Sequence, residues 1–470
     1  MNPFLALAFA VALGAGAPNP DSRPAAAKAA DSGPKLMYTT YFYTAGEAVV
    51  HGYQPDTKVR IVSMDKRGTV WEGTVKEGET QTIRTGKGVF GFLSDKKAAI
   101  LVGTPSSCNA VGYFLKDEEG LYRSKRFFTQ LPVGISNGDA RVLVWAYDTA
   151  SVTVADRTAD KPLKSANLQA GTYLELDSTA LGSLSGHVLE IKSEGSKVGV
   201  QVYYDEGFIV PADLGLGAGR SFYTYVGAIT EGVNDLDLLA QVADANVTVK
   251  DVKTGEKIFG GLVKKGTVKA LTMKRRYVHV TSDVTISVAV AAFEHYKAGY
   301  AEHHFGTGLE GVGIETEFLI TTPGELWLFS YFDGNKVEVT DAQTGKQVFT
   351  GELKSGAVRG LEPGYGLFRV KSTMGLSVMG GSAACGADYS PAAGMFAVDE
   401  ALFEVIAQIR AERQAEASKN GVVLSEKDLA APMTAQEAVR ASSAVKAKTG
   451  RSNMSADEIN QRAAEIQAKH

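Results

Sequence analysis

Val247-Thr-Val-Lys-Asp-Val-Lys-Thr-Gly255 and Val337-Glu-Val-Thr-Asp-Ala-Gln-Thr-Gly345 lie 90 positions apart, and their likeness decides the fold. The residues after them also match: Ile258-Phe259-Gly-Gly261 with Val348-Phe349-Thr-Gly351, and Lys265-Gly266 with Ser355-Gly356. In both, an aromatic stands 12 residues past the first Val and glycines stand 14 and 19 past it. Laid on Val59, the same ruler finds Trp71, Gly73 and Gly78; laid on Val152, it finds Gly171 beyond a diverged middle. Each copy opens alike, at Tyr38-Thr-Thr-Tyr41, Lys125-Arg-Phe-Phe-Thr129, Arg220-Ser-Phe-Tyr-Thr224 and Thr316-Glu-Phe-Leu-Ile320. A fixed period of this length is the mark of tandem units.

Within a unit, Val-x-Val alternates apolar and polar residues, the period of a strand with one buried face. Asp-x-x-Thr-Gly is a turn: Asp and Thr bond their own backbone, and Gly accepts positive φ. Ile-Phe, Val-Phe or Val-Trp then begins the return strand of a hairpin. Turn signals every 8–12 residues predict short strands packed as a sandwich. The expected fold is mainly β, four tandem Ig-like β-sandwich repeats with an α-helical C-terminal tail. The expected boundaries are 1–17 signal peptide, 18–34 flexible leader, 35–122, 123–215, 216–308 and 309–395 for the repeats, and 396–470 for the tail. Trp71, Phe259 and Phe349 are expected in the repeat cores, because buried aromatics dominate sandwich interiors. Short linkers predict units that touch, as a stiff rod or a closed arc.

Composition agrees with a folded β-protein: 44% hydrophobic and 22% charged residues exclude disorder, and 51 glycines suit tight turns. A net charge of −4 lacks the basic excess that nucleic-acid binding needs. Phe4 to Leu13 is apolar and Ala15-Gly16-Ala17 offers a small-x-small cleavage site, the pattern of an export signal. No later run is long enough to span a membrane as a helix. The expected location is the periplasm, the outer surface or the medium.

From Val398 the composition turns to Ala, Glu, Gln, Lys and Arg. Leu402, Val405, Ile406 and Ile409 form an amphipathic stripe, closed by Asn420-Gly421. Capping boxes at Thr434/Glu437 and Ser455/Glu458 announce two more helices, with Ser425/Asp428 a weaker relative. Their large apolar residues (Val439, Val445, Ile459, Ile466) are too few for a core of their own, so the helices pack on a sandwich or await a protein partner, and the thin stripes favour the partner.

No nucleophile elbow, zinc-protease helix, phosphate loop or Cys-x-x-Cys occurs, and Gly215-Leu-Gly217-Ala-Gly219 precedes a strand rather than a helix. The expectation is a non-enzyme without a cofactor. Metal candidates are His295, Glu302, His303 and His304, whose imidazoles and carboxylate suit a divalent ion. Asp235-Leu-Asp237 falls short of the oxygens calcium requires. Lys264, Lys265, Lys274, Arg275 and Arg276 offer charge for an anionic glycan, or simply a solvated strand edge. Cys108 and Cys385 stand 49 and 48 residues past their anchors, at equivalent places in the first and last copies. They could bond within a chain that curls into an arc, bond head to tail between chains, or remain two thiols.

Tyr277-Val-His-Val-Thr-Ser-Asp-Val-Thr-Ile-Ser-Val288, with Phe92-Leu-Ser-Asp-Lys-Lys-Ala-Ala-Ile100, resembles the Ser-Asp-Lys-Pro-Val-Ala-Val strand pair of the N-terminal repeats of IgGFc-binding proteins, repeats found in bacterial surface proteins too. Phe222-Tyr-Thr-Tyr-Val226 fits the same pattern; the usual Pro is missing at both sites. The resemblance covers a short part of each copy. It implies a secreted adhesive or matrix β-module without catalytic residues. The function expected is an exported structural or adhesive envelope protein that assembles or binds partners through its repeats and tail. The alternative is a glycan- or metal-binding accessory module of an extracellular enzyme system.

Overall fold

The computed structural model describes residues 38–96, 98–103, 113–115, 123–131, 140–203, 208–210, 218–226, 234–241, 243–274, 276–291, 303–305, 307–308, 311–312, 314–322, 324–381, 389–392, 398–419, 421–429, 431–449, 459–460 and 463. They form a mainly β protein of several antiparallel sheets with few helices.

In the first segment the strands are β1 (Tyr38–Thr44), β2 (Glu47–Gly52), β3 (Thr57–Ser63), β4 (Gly68–Val75), β5 (Thr80–Arg84), β6 (Gly88–Ser94) and β7 (Ala98–Gly103). The second segment has β8 (Tyr113–Phe114), β9 (Arg126–Gln130), β10 (Arg141–Ala146), β11 (Ala150–Asp156), β12 (Lys161–Leu168), β13 (Tyr173–Leu176), the short helix α1 (Ser178–Leu181), β14 (Val188–Gly195) and β15 (Val198–Tyr203). The third has β16 (Phe208–Val210), β17 (Gly219–Val226), β18 (Asn234–Leu239), β19 (Ala245–Asp251), β20 (Lys257–Val263), β21 (Val268–Met273) and β22 (Arg276–Ala291). The fourth has β23 (His303–Phe305), β24 (Thr307–Gly308), β25 (Gly311–Val312), β26 (Glu315–Thr322), β27 (Glu325–Ser330), β28 (Asn335–Asp341), β29 (Gln347–Leu353), β30 (Val358–Leu361) and β31 (Gly366–Gly381), followed by β32 (Tyr389–Ala392).

Each segment contributes two sets of paired strands. One set runs β1-β6-β3-β4 in the first segment and β9-β14-β11-β12 in the second. The corresponding neighbours are β17-β22-β19-β20 and β26-β31-β28-β29 in the third and fourth. The other set runs β7-β2-β5, β15-β10-β13, β22-β18-β21 and β31-β27-β30. β22 and β31, 16 residues each, serve both sets, whereas the first two segments break the same path into β6/β7 and β14/β15. One apolar cluster lies between the sets of each segment, with Val59, Val152, Val247 and Val337 all buried in it.

The β3–β4, β11–β12, β19–β20 and β28–β29 hairpins share local chemistry. Each ladder shifts register at one corresponding place, after Ile61, Val154, Val249 and Val339, the mark of a β-bulge. The turn carboxylate accepts two backbone N–H groups in three of them: Asp156 from Thr158 and Ala159, Asp251 from Lys253 and Thr254, Asp341 from Gln343 and Thr344. The residue eight past the anchor has positive φ every time. It is Gly255 and Gly345 in two hairpins, but Arg67 (φ 51°) and Asp160 (φ 47°) in the others. A Cβ is costly there. Arg67→Gly is therefore expected to raise stability by about 0.5–1 kcal/mol, less the loss of a surface side chain, read as a shift of the urea midpoint at unchanged slope.

Trp71, Phe259 and Phe349 are not core residues in the full sense expected. They are half-buried and pack against the rim of their clusters. The reason is their position on β4, β20 and β29, the last strand of each set among the described residues. Their rings lie over the glycine two residues on. A Cβ at Gly73 would stand 2.6 Å from the Trp71 ring, and one at Gly351 would stand 2.8 Å from Phe349. The aromatic–x–Gly spacing thus reports a ring shielding an edge-strand glycine.

The tail contains α2 (Val398–Lys419), α3 (Glu426–Leu429) and α4 (Ala435–Thr449). Gly421 (φ 71°) ends α2, with the Val422 N–H donating to the Ala417 carbonyl as in a Schellman stop. The Thr434/Glu437 box forms reciprocally, at 2.8 Å and 3.2 Å, and so does Ser425/Asp428, at 3.2 Å and 3.3 Å. One expectation is corrected. The tail does build a small core, from Val405, Ile406 and Ile409 of α2, Met433, Ala438 and Ala441, and Ile459 and Ala463. Sequence reasoning counted only large side chains; alanines let the helices approach closely, while Val439 faces solvent.

Candidate functional site: the seams between segments

The glycine 19 past each anchor positions a seam. Gly78, Gly171, Gly266 and Gly356 all have φ near 70–76°. Their N–H groups donate to corresponding carbonyls, Gly52, Ala146, Ala240 and Ser330, at 2.7–2.9 Å. Three of the four face a side chain of the preceding segment. A Cβ would meet the Tyr41 hydroxyl at Gly171 and the Tyr223 hydroxyl at Gly356, both at 3.4 Å. At Gly78 it would meet the Arg369 guanidinium, which belongs to the fourth segment.

The first–second and third–fourth seams are aromatic. The Tyr43 ring meets Tyr203 edge-on at 4.7 Å and lies under the Arg141 guanidinium, and its backbone exchanges two hydrogen bonds with the Gln201 amide. Across the other seam Tyr225 stacks on Trp327 at 5.1 Å, and Tyr223 meets Tyr331 at 5.3 Å. Such pairs add about 0.5–1.5 kcal/mol each beyond their burial. The second–third seam is smaller: Phe128 and Val188 meet Leu239 and Val268.

The fourth seam joins the last segment to the first. The Leu319 N–H donates to the Tyr53 hydroxyl at 3.1 Å, and burial pushes that phenol's pKa up. Arg369 pairs with Glu317 and reaches Glu77 of the first segment at 3.9 Å. β32 then runs antiparallel to β7, pairing Tyr389 with Gly103, Ser390 with Val102, Pro391 with Leu101 and Ala392 with Ile100. The chain closes on itself with a strand. Cys108 and Cys385, named from the sequence, lie outside the described residues.

The other sequence candidates are not gathered into a site. His295 and Glu302 lie outside the described residues. His303 and His304 are successive positions of β23, opposite Gly381 and Gly380 of β31. Among the described residues no group of three or more His, Cys, Asp or Glu residues could hold a metal ion. The basic residues named for an anionic glycan are spread along one strand and its flanks. Lys264 and Lys265 sit before β21 and Lys274 and Arg276 after it, roughly 20 Å apart at 3.3 Å per residue; Arg276 faces Glu256 at 3.8 Å. Arg275 lies outside the described residues. No helix among the described residues is long and apolar enough to cross a membrane.

Sequence reasoning missed a buried charge cluster. The Glu190 side chain, 1% exposed, takes Arg126 at 2.7 Å, Lys192 at 3.3 Å and Arg157 in a fork. Burial pushes its pKa up, but the hydrogen bonds from Arg157 and Arg126 outweigh burial and hold it below the usual value. Nearby Asp156 behaves alike, with His187 Nδ1 at 2.9 Å. Glu190→Gln is expected to cost about 2 kcal/mol at neutral pH, below the range for fully buried pairs because the arginines are partly solvated. The sign follows from the lowered pKa: this stabilisation is present above the unfolded carboxylate pKa and is lost as pH falls through the folded one. Urea midpoints of parent and variant should converge in acid.

No protein family matches the chain, and no curated protein is similar to it. Among solved structures it is similar to the coconut allergen cocosin, at 7% identity over 37% of this chain and 82% of that one, TM-score 0.15. It is also similar to a cycloalternan-forming enzyme from Listeria monocytogenes, at 12% identity over 53% of this chain and 29% of that one, TM-score 0.15. A third likeness is to the lipid-containing bacteriophage PM2, at 11% identity over 56% and 86%, TM-score 0.13. Likenesses this remote carry no functional argument.

Proposed function

We propose that this chain is an exported structural or adhesive envelope protein: four tandem β-sandwich units closed into a ring, with a helical body that docks a partner. The observation that carries the reading is the β32·β7 ladder, which returns the end of the fourth unit to the first. The corresponding glycine contacts at three seams support a head-to-tail ring, because each of those three joins the same two unlike surfaces. The proposed units follow the expected divisions 35–122, 123–215, 216–308 and 309–395 except at their starts, where β8, β16, β23 and β24 precede the divisions and pair with the unit that follows. The apolar N-terminal run supports export. The helical body, with its own small core, supports a tethered docking module.

Two measurements test this. Small-angle scattering of the exported chain should give a radius of gyration near about 25 Å, against about 40 Å for four units end to end. Sedimentation with isolated cell envelopes should retain the full chain and lose one ending at residue 396. An extended particle would remove the ring, and equal behaviour of the two chains would remove the docking role of the tail.

A further inference from the structure

In a ring of four such units, each sheet needs an outermost strand. In three segments it comes from the stretch just before that segment's own first strands. β8 lies beside β15 with Tyr113 opposite Val202, β16 beside β22 with Phe208 opposite Val290, and β23 beside β31 with His304 opposite Gly380. Val202, Val290 and Gly380 are equivalent places, since they pair in turn with Val142, Leu236 and Leu326. Each donor residue precedes that last residue by 22 to 29 positions.

In the first segment the equivalent place is Val102, opposite Ala48. Twenty-two to 29 positions before Ala48 the chain reads Asn19-Pro-Asp-Ser-Arg-Pro-Ala-Ala26. Two prolines without N–H groups make this a poor ladder strand. Among the described residues it is Ser390, from the far end of the chain, that lies in this slot. Among the described residues, the seam beside it shows no aromatic interlock like those of the first–second and third–fourth seams.

Resting on the ring reading, we infer that the edge of β7 is a strand-acceptor site that takes Tyr389–Ala392 from a second copy of this chain. In that exchange Leu319 and Tyr53, and Arg369 and Glu77, meet between molecules instead of within one. The seam joins unlike surfaces, so the exchange propagates head to tail, into larger rings or open chains. Its contacts are those already made within the chain, so the tethered strand resists exchange only through its effective concentration, about millimolar.

Cross-linking tests this. Pro391 has no N–H, so Leu101/Pro391 is a non-hydrogen-bonded pair, where side chains approach closest. In a background carrying Cys108→Ser and Cys385→Ser, one chain receives Leu101→Cys and another Pro391→Cys. Refolded together near about 1 mM and oxidised with glutathione disulfide, the mixture should give a reducible heterodimer as a substantial fraction of chains. At about 1 µM the fraction should fall at least tenfold, as the tethered strand then prevails. The control chain carries both substitutions and should form an internal cross-link in dilute solution. If the control closes internally but no heterodimer forms at any concentration, exchange is refuted and the closed ring stands. If the control fails to close while retaining its sheet circular dichroism, the ladder is wrong and both readings fall.

Discussion

Replacing Arg413 by Ala is expected to unfold the helical body while leaving the sheets intact. Arg413 projects from α2 and holds the return of the chain from three sides. Its guanidinium pairs with both Glu437 oxygens, at 2.9 Å and 2.7 Å, and donates to the carbonyls of Ala431 and Pro432, at 2.9 Å and 3.1 Å. Glu437 also closes the cap of α4 on Thr434, so one substitution loosens the turn and the helix start together. The expected loss is about 3 kcal/mol, toward the range for breaking a largely buried pair. A body with so small a core cannot absorb it. Arg413 holds the Glu437 carboxyl down to about 2, against an ordinary 4.5. The pKa is lowered, so this stabilisation is whole above about pH 4.5 and disappears as pH falls toward 2. Protection factors over residues 398–449, taken relative to intrinsic exchange at each pH, should therefore fall in the parent as pH drops between these values, and should already be low at neutral pH in the variant. Equal protection in both at pH 7 would show that the alanine-mediated packing suffices without Arg413.

Much of this was legible in the sequence, for reasons that differ by residue. Val-x-Val, the Asp-x-x-Thr-Gly turn and the spaced glycines are local requirements of one hairpin, so their spacing survives in the string and fixes strand identity and register. The opening pairs Phe127/Phe222 and Thr40/Phe318 also fall in register, each opposite its equivalent partner (Ile191, Val280, Phe92 and Val370). What was not legible depends on distance through space. No periodicity says that Trp71 shields a rim glycine rather than filling a core. None says that Glu190 lies between Arg126 and Arg157, 64 and 33 residues away. Nor does any periodicity say how the basic residues around β21 are arranged, because a six-residue strand lies between Lys265 and Lys274. Rod or arc could not be decided, because the deciding strand is four residues long and lies at the opposite end of the chain from its partner.

Oxidised protein is expected to carry a Cys108–Cys385 bond within one chain, and its reduction should lower stability more than any single substitution proposed for the chain. Neither residue is among those described, so the expectation rests on their flanks. The ladder ends at Gly103 and Tyr389, five residues before Cys108 and four before the reverse-running partner reaches Cys385. Five and four residues give ample reach for the roughly 6 Å between Cα atoms that a disulfide needs. The bond would enclose 278 residues. By the chain-entropy model a loop of that size is worth roughly 5 kcal/mol, the model's upper range, with native-state strain subtracting from it. Forming it removes two electrons and two protons from the thiols, which glutathione disulfide or an oxidising export compartment accepts. On a non-reducing gel the parent should run as a faster monomer, and Cys108→Ser should abolish the shift. Guanidinium unfolding should show a lower midpoint for the reduced parent and no further loss on reducing the variant. A reducible ladder at low protein concentration would instead place the bond between chains, and head-to-tail assembly would then be the resting state. No reducible change would leave a four-residue strand and one charged seam to hold the ring, and dilution should then open it.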